Sequence, residues 1–297
     1  MIKTIADMIH AAKANRAKPL VVAKANDEHV LKAVKAAHEE DLVNAVLIDG
    51  KDALVQSMRG LGMDPKDYTL IDESDNVKAC IKAVREVRKD PQSILMKGLV
   101  DTSTILKAAL NKEAGLRTKN RLSHVSVLET KNYHKLLLMS DGAMNIAPDA
   151  TIKQEIIENA VEVAASLGIR PANVGIIAAV EKVTDKMPAT LDAGALKALT
   201  IDGAVIDGPF ALDNAIDKEA ATHKGIDSPI AGDIDILLMP AIETGNVFYK
   251  TMMFLCNAKS ASLIAGATHP IVLTSRADSF ETKFHSIALA ALDAASK

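Results

Sequence analysis

LVVAKANDEHVLKAVKAAHEEDLVNAVLID, residues 20–49, holds the fold in miniature. Its two ends, LVVA (20–23) and AVLID (45–49), are short aliphatic runs without inside/outside alternation, as expected of strands covered on both faces. Between them the period changes. Val30, Leu31, Val34 and Ala37 form one stripe at helical spacing over 27–39, and Asn26 or Asp27 stands where an N-cap is needed. Strand, helix, strand in this form is the repeating unit of a mostly parallel sheet.

The same alternation extends outward in both directions. Further strand-like runs lie at 68–72, 93–96, 125–129, 135–140, 174–180, 204–208, 234–240, 261–267 and 270–275. Helical spacing marks 75–89, 103–113, 151–167, 210–222, 244–257 and 279–294, with a further short helix at the N-terminus. Aromatic residues make up only 3% of the chain, so the core must be aliphatic. The 48% hydrophobic and 25% charged composition is that of an ordinary globular chain and excludes disorder and collagen-like repeats.

A chain of 297 residues exceeds the usual single-domain size, and two α/β domains are expected. Near the middle the alternation is interrupted: 125–129 and 135–140 are consecutive strands joined by the turn-like TKNYH, a hairpin signal. The boundary between the two domains is placed there, after residue 133. No Gly/Ser-rich or Pro-rich linker separates them, which suggests a shared interface with a cleft.

Net charge is −3, and stacking aromatics are scarce, so nucleic acid and acidic membranes are poor partners. The N-terminus lacks a signal-peptide core and no apolar run reaches the roughly 18 residues of a membrane span. A cytoplasmic protein is expected. Cys80 and Cys256 both sit in helical spacing and read as buried free thiols.

Ligands of doubly wound sheets bind beyond the carboxyl ends of strands, where helix N-termini face anions. Three strand-to-helix crossings there combine small polar residues with a cation: MKGLVDTST (96–104), MPAIETGNVFYK (239–250) and LTSRADS (273–279). The segment GLRTKNRLSH (115–124) adds Arg117, Lys119 and Arg121 within five residues. Each also has a plainer reading. Lys97 can be a surface lysine at a strand end, the basic segment a solvated loop, and Asp278 with Glu281 a capping box. Ser275 and Arg276 make the stronger pair, since an arginine between strand and helix can fork onto phosphate while serine and backbone donors complete the site. The eight histidines are scattered and read as structural or surface residues, with His124, at the end of the basic segment, the least ordinary.

Negative findings narrow the chemistry. GxGxxG after the first strand, GxxxxGK[ST], GxSxG, HExxH and CxxC are all missing, which removes the main support for nicotinamide binding, P-loop hydrolysis, serine-hydrolase chemistry and structural zinc.

Six stretches, in order along nearly the whole chain, resemble the phosphate acetyl/butyryl transferase family. They are MKGLVDTSTILKAALNKEAGLRT (96–118), LSHVSVLET (122–130), KMPATLDAGAL (186–196), VIDGPFALDNA (205–215), DILLMPAIETGNVFYKT (235–251) and VLTSRADSFETKFHSIALAAL (272–292). The resemblance implies two doubly wound α/β domains with an interdomain cleft, an architecture like that of isocitrate and isopropylmalate dehydrogenases. It also implies that the C-terminal segment returns to complete the first domain, giving 1–133 with 267–297 as the first domain and 134–266 as the second, and a homodimer or larger assembly. The implied reaction is reversible transfer of a short acyl group, butyryl first, between acyl-CoA and inorganic phosphate, giving acyl phosphate and CoA. Coenzyme A would be a substrate; no metal or prosthetic group is implied. By resemblance Ser275 and Arg276 hold the phosphate and acyl phosphate, and Asn246 and Lys250 line the cleft. Lys97, Thr102 and Arg117 are candidates for phosphate or CoA contacts. Acetyl-specific relatives place an aspartate seven residues after the serine as base for the CoA thiol; here that position is Thr282. Glu281, its neighbour, is the first alternative. An acetyl or branched-chain relative, a two-domain dehydrogenase and a non-catalytic CoA-binding regulator are the rival readings.

Overall fold

The computed structural model describes residues 2–275 and 278–296. The chain forms two units, one of Ala6–Lys119 with Ala261–Lys297, the other of Met1–Ile5 with Asn120–Ser260. The first of these opens with α1 (Ile5–Lys13), β1 (Lys18–Ala23), α2 (Glu28–Glu39), β2 (Val43–Asp49) and α3 (Lys51–Gly60). It continues through β3 (Thr69–Asp72), α4 (Asn76–Val87), β4 (Ile94–Lys97) and α5 (Thr102–Ala109). The second unit carries β5 (Ser123–Glu129), β6 (Leu137–Ser140), α6 (Ala150–Ser166), β7 (Ala172–Ile177), α7 (Pro188–Lys197) and β8 (Ala204–Phe210). After them come α8 (Leu212–Ile216), α9 (Lys218–His223), β9 (Ile236–Leu238) and α10 (Ile242–Phe254). β10 (Lys259–Ala265), β11 (Ile271–Val272) and α11 (Phe280–Ala295) then return the chain to the first unit.

In the first unit the strands run in the order β3-β2-β1-β4-β11-β10. All neighbours are parallel except the β10–β11 pair. β1 and β4 are buried along nearly their whole length, consistent with their unalternating sequences. Helix α2 seals one face. Asp27 wins the capping position over Asn26, its carboxylate accepting from the Val30 N–H at 3.0 Å. The stripe residues Val30, Leu31, Val34 and Ala37 are all buried. Each larger member stabilises the fold by about 1.5–3 kcal/mol through lost apolar surface.

The second unit has the order β5-β6-β9-β7-β8, with β5 and β6 antiparallel and the remaining neighbours parallel. Its core gathers scarce aromatics with aliphatics, including Tyr133, Met139, Phe210, Ile234 and Leu237. The buried Tyr133 hydroxyl donates to the Ile234 carbonyl at 2.6 Å, so its polar tip is satisfied.

The structure departs from the sequence reading at the domain borders and in several helices. The units divide at 119/120 and 260/261, not at 133/134 and 266/267. A border at 133 would cut the β5–β6 ladder, where Ser126, Val127 and Leu128 pair with Met139, Leu138 and Leu137. Helices α3 and α7 were not among the expected segments, while 210–222 is two short helices interrupted at Asp217, which caps the second. Finally, α10 stops at Phe254, so Cys256 is exposed and only Cys80 is buried.

Burial pushes the Cys80 thiol up to about 11, against the opposite pull of Lys24 and Lys97. At neutral pH it should be an inert core group. In a Cys256→Ser protein, Cys80 is expected to resist a disulfide-exchange colour reagent at pH 8 until urea unfolds the chain. Rapid labelling of the native protein would show that α4 is not packed as described.

Candidate active site

The carboxyl ends of β1, β4 and β11 lie side by side. Ala23 pairs with Lys97, and Val272 with Met96, which sets Leu273 beside the end of β4 and Ser275 two residues beyond. β1 is also where the sheet order reverses: β2 and β3 extend to one side of it, β4 and β11 to the other. Such a switch point leaves a crevice beyond the strand ends.

Backbone contact fixes these ends to one another. The Gly98 N–H donates to the Ala23 carbonyl at 2.9 Å and the Leu99 N–H to the Lys24 carbonyl at 2.7 Å. A Cβ built on Gly98 would lie 2.0 Å from the Lys24 carbonyl oxygen, so this crossing accepts only glycine. Lys24 adopts a left-handed backbone (φ 59°), and its ammonium pairs with Asp49 at the end of β2. The Asp49 carboxylate also accepts from the Asn26 and Gly50 N–H groups at 3.0 and 2.8 Å. A single buried carboxylate therefore ties the β1 and β2 ends together.

Lys97 is buried, not the surface lysine its plainer reading allowed; its ammonium donates to the carbonyls of Gly98 and Val100 at 3.2 and 3.1 Å. Thr102 begins α5 behind Asp101 and is exposed. Arg117 is exposed too, bridging in antiparallel fashion to Ala267. Ser275 is exposed, but its backbone is held on both sides. Its N–H donates to the Asp278 carboxylate at 2.7 Å, and its carbonyl accepts from the Asp278 N–H at 3.2 Å and from the Lys283 ammonium at 2.8 Å. Asp278 is thus turned onto Ser275 and does not cap α11. That task falls to Ser279, whose hydroxyl accepts from the Thr282 N–H at 3.2 Å. The expected Asp278–Glu281 capping box is not formed. Glu281 is exposed in the first turn of α11, and Thr282 is buried. Arg276 lies outside the described residues.

The second unit presents a comparable strand-end arrangement. Asp141, just past β6, is buried and accepts from the N–H groups of Ala143, Met144 and Asn145. α10 starts close against this turn: a Cβ on Gly245 would meet the Asp141 carbonyl oxygen at 2.3 Å. Asn246 follows, donating to the Gly142 carbonyl at 3.3 Å, and Lys250 stands one turn later on the same helix face. Both are exposed. His124 is buried in β5, edge-on to Tyr249 with ring centroids 6.2 Å apart.

A family profile described as Phosphate acetyl/butaryl transferase matches residues 52–291. The chain belongs to that family. Among its relatives are a phosphate butyryltransferase from Clostridium acetobutylicum, 45% identical over the full length of both chains, and a phosphate acetyltransferase from Thermotoga maritima, 42% identical over 93% of this chain and 95% of that one. A branched-chain phosphotransacylase from Enterococcus faecalis V583 has the same fold, with a TM-score of 0.84, 35% identity, and coverage of 93% of this chain and 99% of the other.

Within this family member the first unit brings Lys97 and Ser275 to adjoining strand ends, while Asn246 and Lys250 belong to the second unit. Lys283 escaped the sequence reading, and Asp278 entered it as a capping residue and not as the partner of Ser275. A lysine in the first turn of an otherwise amphipathic helix gives no signal that it points inward; the one available cue was its place eight residues after Ser275. Among the described residues no helix is long and apolar enough to cross a membrane, and no group of three or more His, Cys, Asp or Glu is placed to hold a metal ion.

Proposed function

We propose that this member of the family transfers a short acyl group, butyryl first, reversibly between coenzyme A and inorganic phosphate, with both substrates bound together. The carrying observation is the family match over 52–291 combined with full-length similarity to phosphate butyryltransferases. In the forward direction a phosphate oxygen attacks the thioester carbonyl, the C–S bond breaks, and the CoA thiolate leaves and takes a proton. In reverse the thiolate attacks the acyl phosphate and phosphate leaves. No protein nucleophile is needed, so the protein's task is to hold two anionic substrates and stabilise the charge that develops.

In this reading Ser275 and Arg276 bind the phosphate or acyl phosphate, Lys97 supports the adjoining strand end, and Thr102 and Arg117 offer a hydroxyl and a cation to phosphate or CoA. Asn246 and Lys250 are contacts of the second unit to substrate. Glu281 takes the thiol proton, through water if needed. CoA is a substrate and no resident cofactor is invoked. The rival dehydrogenase reading has no support from the family match.

Glu281→Gln should lower the rate of CoA attack on butyryl phosphate about a hundredfold near neutral pH, the lower end of the usual range for general bases, and the loss should shrink as rising pH ionises the thiol itself. Equal rates for both proteins across pH 6–9 would remove Glu281 from the reaction.

The working form is a cytoplasmic homodimer. α10 and its C-cap support the dimer, with Val247, Phe254 and Leu255 exposed at 65%, 72% and 82%, a costly display of apolar surface for a monomer. Leu255→Lys should halve the molar mass seen by sedimentation equilibrium. An unchanged mass would move the interface elsewhere.

A further inference from the structure

Lys283 is a buried cation in a setting where a cation is costly. It is 4% exposed, and among the described residues no carboxylate lies within ion-pair distance of it. Its ammonium donates to the Ser275 carbonyl at 2.8 Å and to the Thr274 hydroxyl at 3.2 Å. Asp278 and Asp27 act on it only through the longer-range field, and desolvation outweighs them, holding its pKa below the ordinary lysine value. A neutral side chain could have closed this packing at lower cost, since an unpaired buried charge is among the least favourable groups in a fold. What a cation provides here, and a neutral group does not, is positive potential at the carboxyl end of β11.

Two further features aim that potential at Ser275. The serine backbone is gripped between Lys283 on its carbonyl and the Asp278 carboxylate on its N–H, so the orientation of its hydroxyl depends on both. Lys97 is a second buried ammonium at the adjoining strand end. Two ammonium groups buried at adjoining strand ends suit a compact dianion.

We propose that Lys283 is a positioning residue of the phosphate site: it fixes the Ser275 backbone, and its buried charge favours inorganic phosphate or the phosphoryl end of an acyl phosphate beside the Ser275 hydroxyl. This rests on the assignment of Ser275 to phosphate binding made above.

The test is steady-state kinetics of butyryl-CoA phosphorolysis by the full-length Lys283→Met and Ser275→Ala proteins, with thermal unfolding in parallel. Lys283→Met should raise KM for phosphate about tenfold or more, the scale of a lost charge-assisted bond, leave KM for butyryl-CoA within about threefold, and not lower Tm. A group that merely packed would lower Tm and shift neither KM selectively, and that result would overturn the proposal. If Ser275→Ala raises the phosphate KM and Lys283→Met does not, the role of Lys283 falls alone. If neither variant changes it, the phosphate site is not at this strand end and both assignments fall. Should Lys283→Met not fold, Lys283→Arg must keep the phosphate KM within about threefold while Lys283→Gln raises it about tenfold; equal values for the two would contradict the need for charge.

Discussion

Replacing Arg276 with Gln is expected to lower kcat/KM for phosphate by about tenfold to a hundredfold, the scale of a charge-assisted hydrogen bond worth roughly 1.5–3 kcal/mol. The expectation rests on the residue type and its place. A guanidinium between the end of a strand and the start of a helix offers two parallel donors to two phosphate oxygens, whereas glutamine offers one weaker donor and no charge. The loss should appear with inorganic phosphate and with acyl phosphate alike, because both directions pass through the same transition state. Arg276→Lys should fall between the two, keeping charge and losing the fork. Full activity in Arg276→Gln would remove this residue from the site and with it the main reason for placing phosphate next to Ser275.

Gly98→Ala should be the most damaging conservative change in the first unit. The added methyl would sit 2.0 Å from the Lys24 carbonyl oxygen, 2.7 Å from its carbon and 2.9 Å from the Ala23 carbonyl oxygen, all backbone atoms that no rotamer change can move. Relief requires the ends of β1 and β4 to separate, which breaks the Gly98–Ala23 and Leu99–Lys24 hydrogen bonds. Overpacking of this kind costs about 1–3 kcal/mol, and each lost backbone bond adds about 0.5–1.5 kcal/mol. Urea titration should show a lower midpoint with an unchanged slope. Activity should fall as well, since Lys97 is carried by the same strand end. Gly60→Ala is the control: nothing lies within 4 Å of its Cβ position at the end of α3, so stability there should be unchanged or slightly raised. A midpoint unmoved by Gly98→Ala would mean that the two strand ends do not touch as described.

The regular layers of this fold are plain in the sequence because their cause is local. Aliphatic runs such as LVVA and SILM have no polar face to offer water, and Asp27, Asp75 and Asp149 announce helix starts by the bonds their carboxylates go on to make. What the sequence conceals is set by packing between distant elements. α11 packs against α2, β1, β4 and β11, and that arrangement alone turns Lys283 inward. Asp278 resembles a cap until Ser279 takes the cap and frees the carboxylate for Ser275. Cys256 follows a helical period that α10 abandons at Phe254, and the hairpin that marks a change of pattern belongs wholly to the second unit, both of its strands lying within Asn120–Ser260. The family motifs name candidate residues in order along the chain; the geometry adds which of them share strand ends, Lys97 with Ser275, and which backbone contacts hold those ends.

The most direct test is the release of free thiol from butyryl-CoA by the purified protein, followed with and without inorganic phosphate. Thiol release should depend on phosphate, yield butyryl phosphate in equal amount, and run faster with butyryl-CoA than with acetyl-CoA. Absence of phosphate-dependent release from acetyl-, propionyl-, butyryl- and isobutyryl-CoA would overturn the proposed reaction.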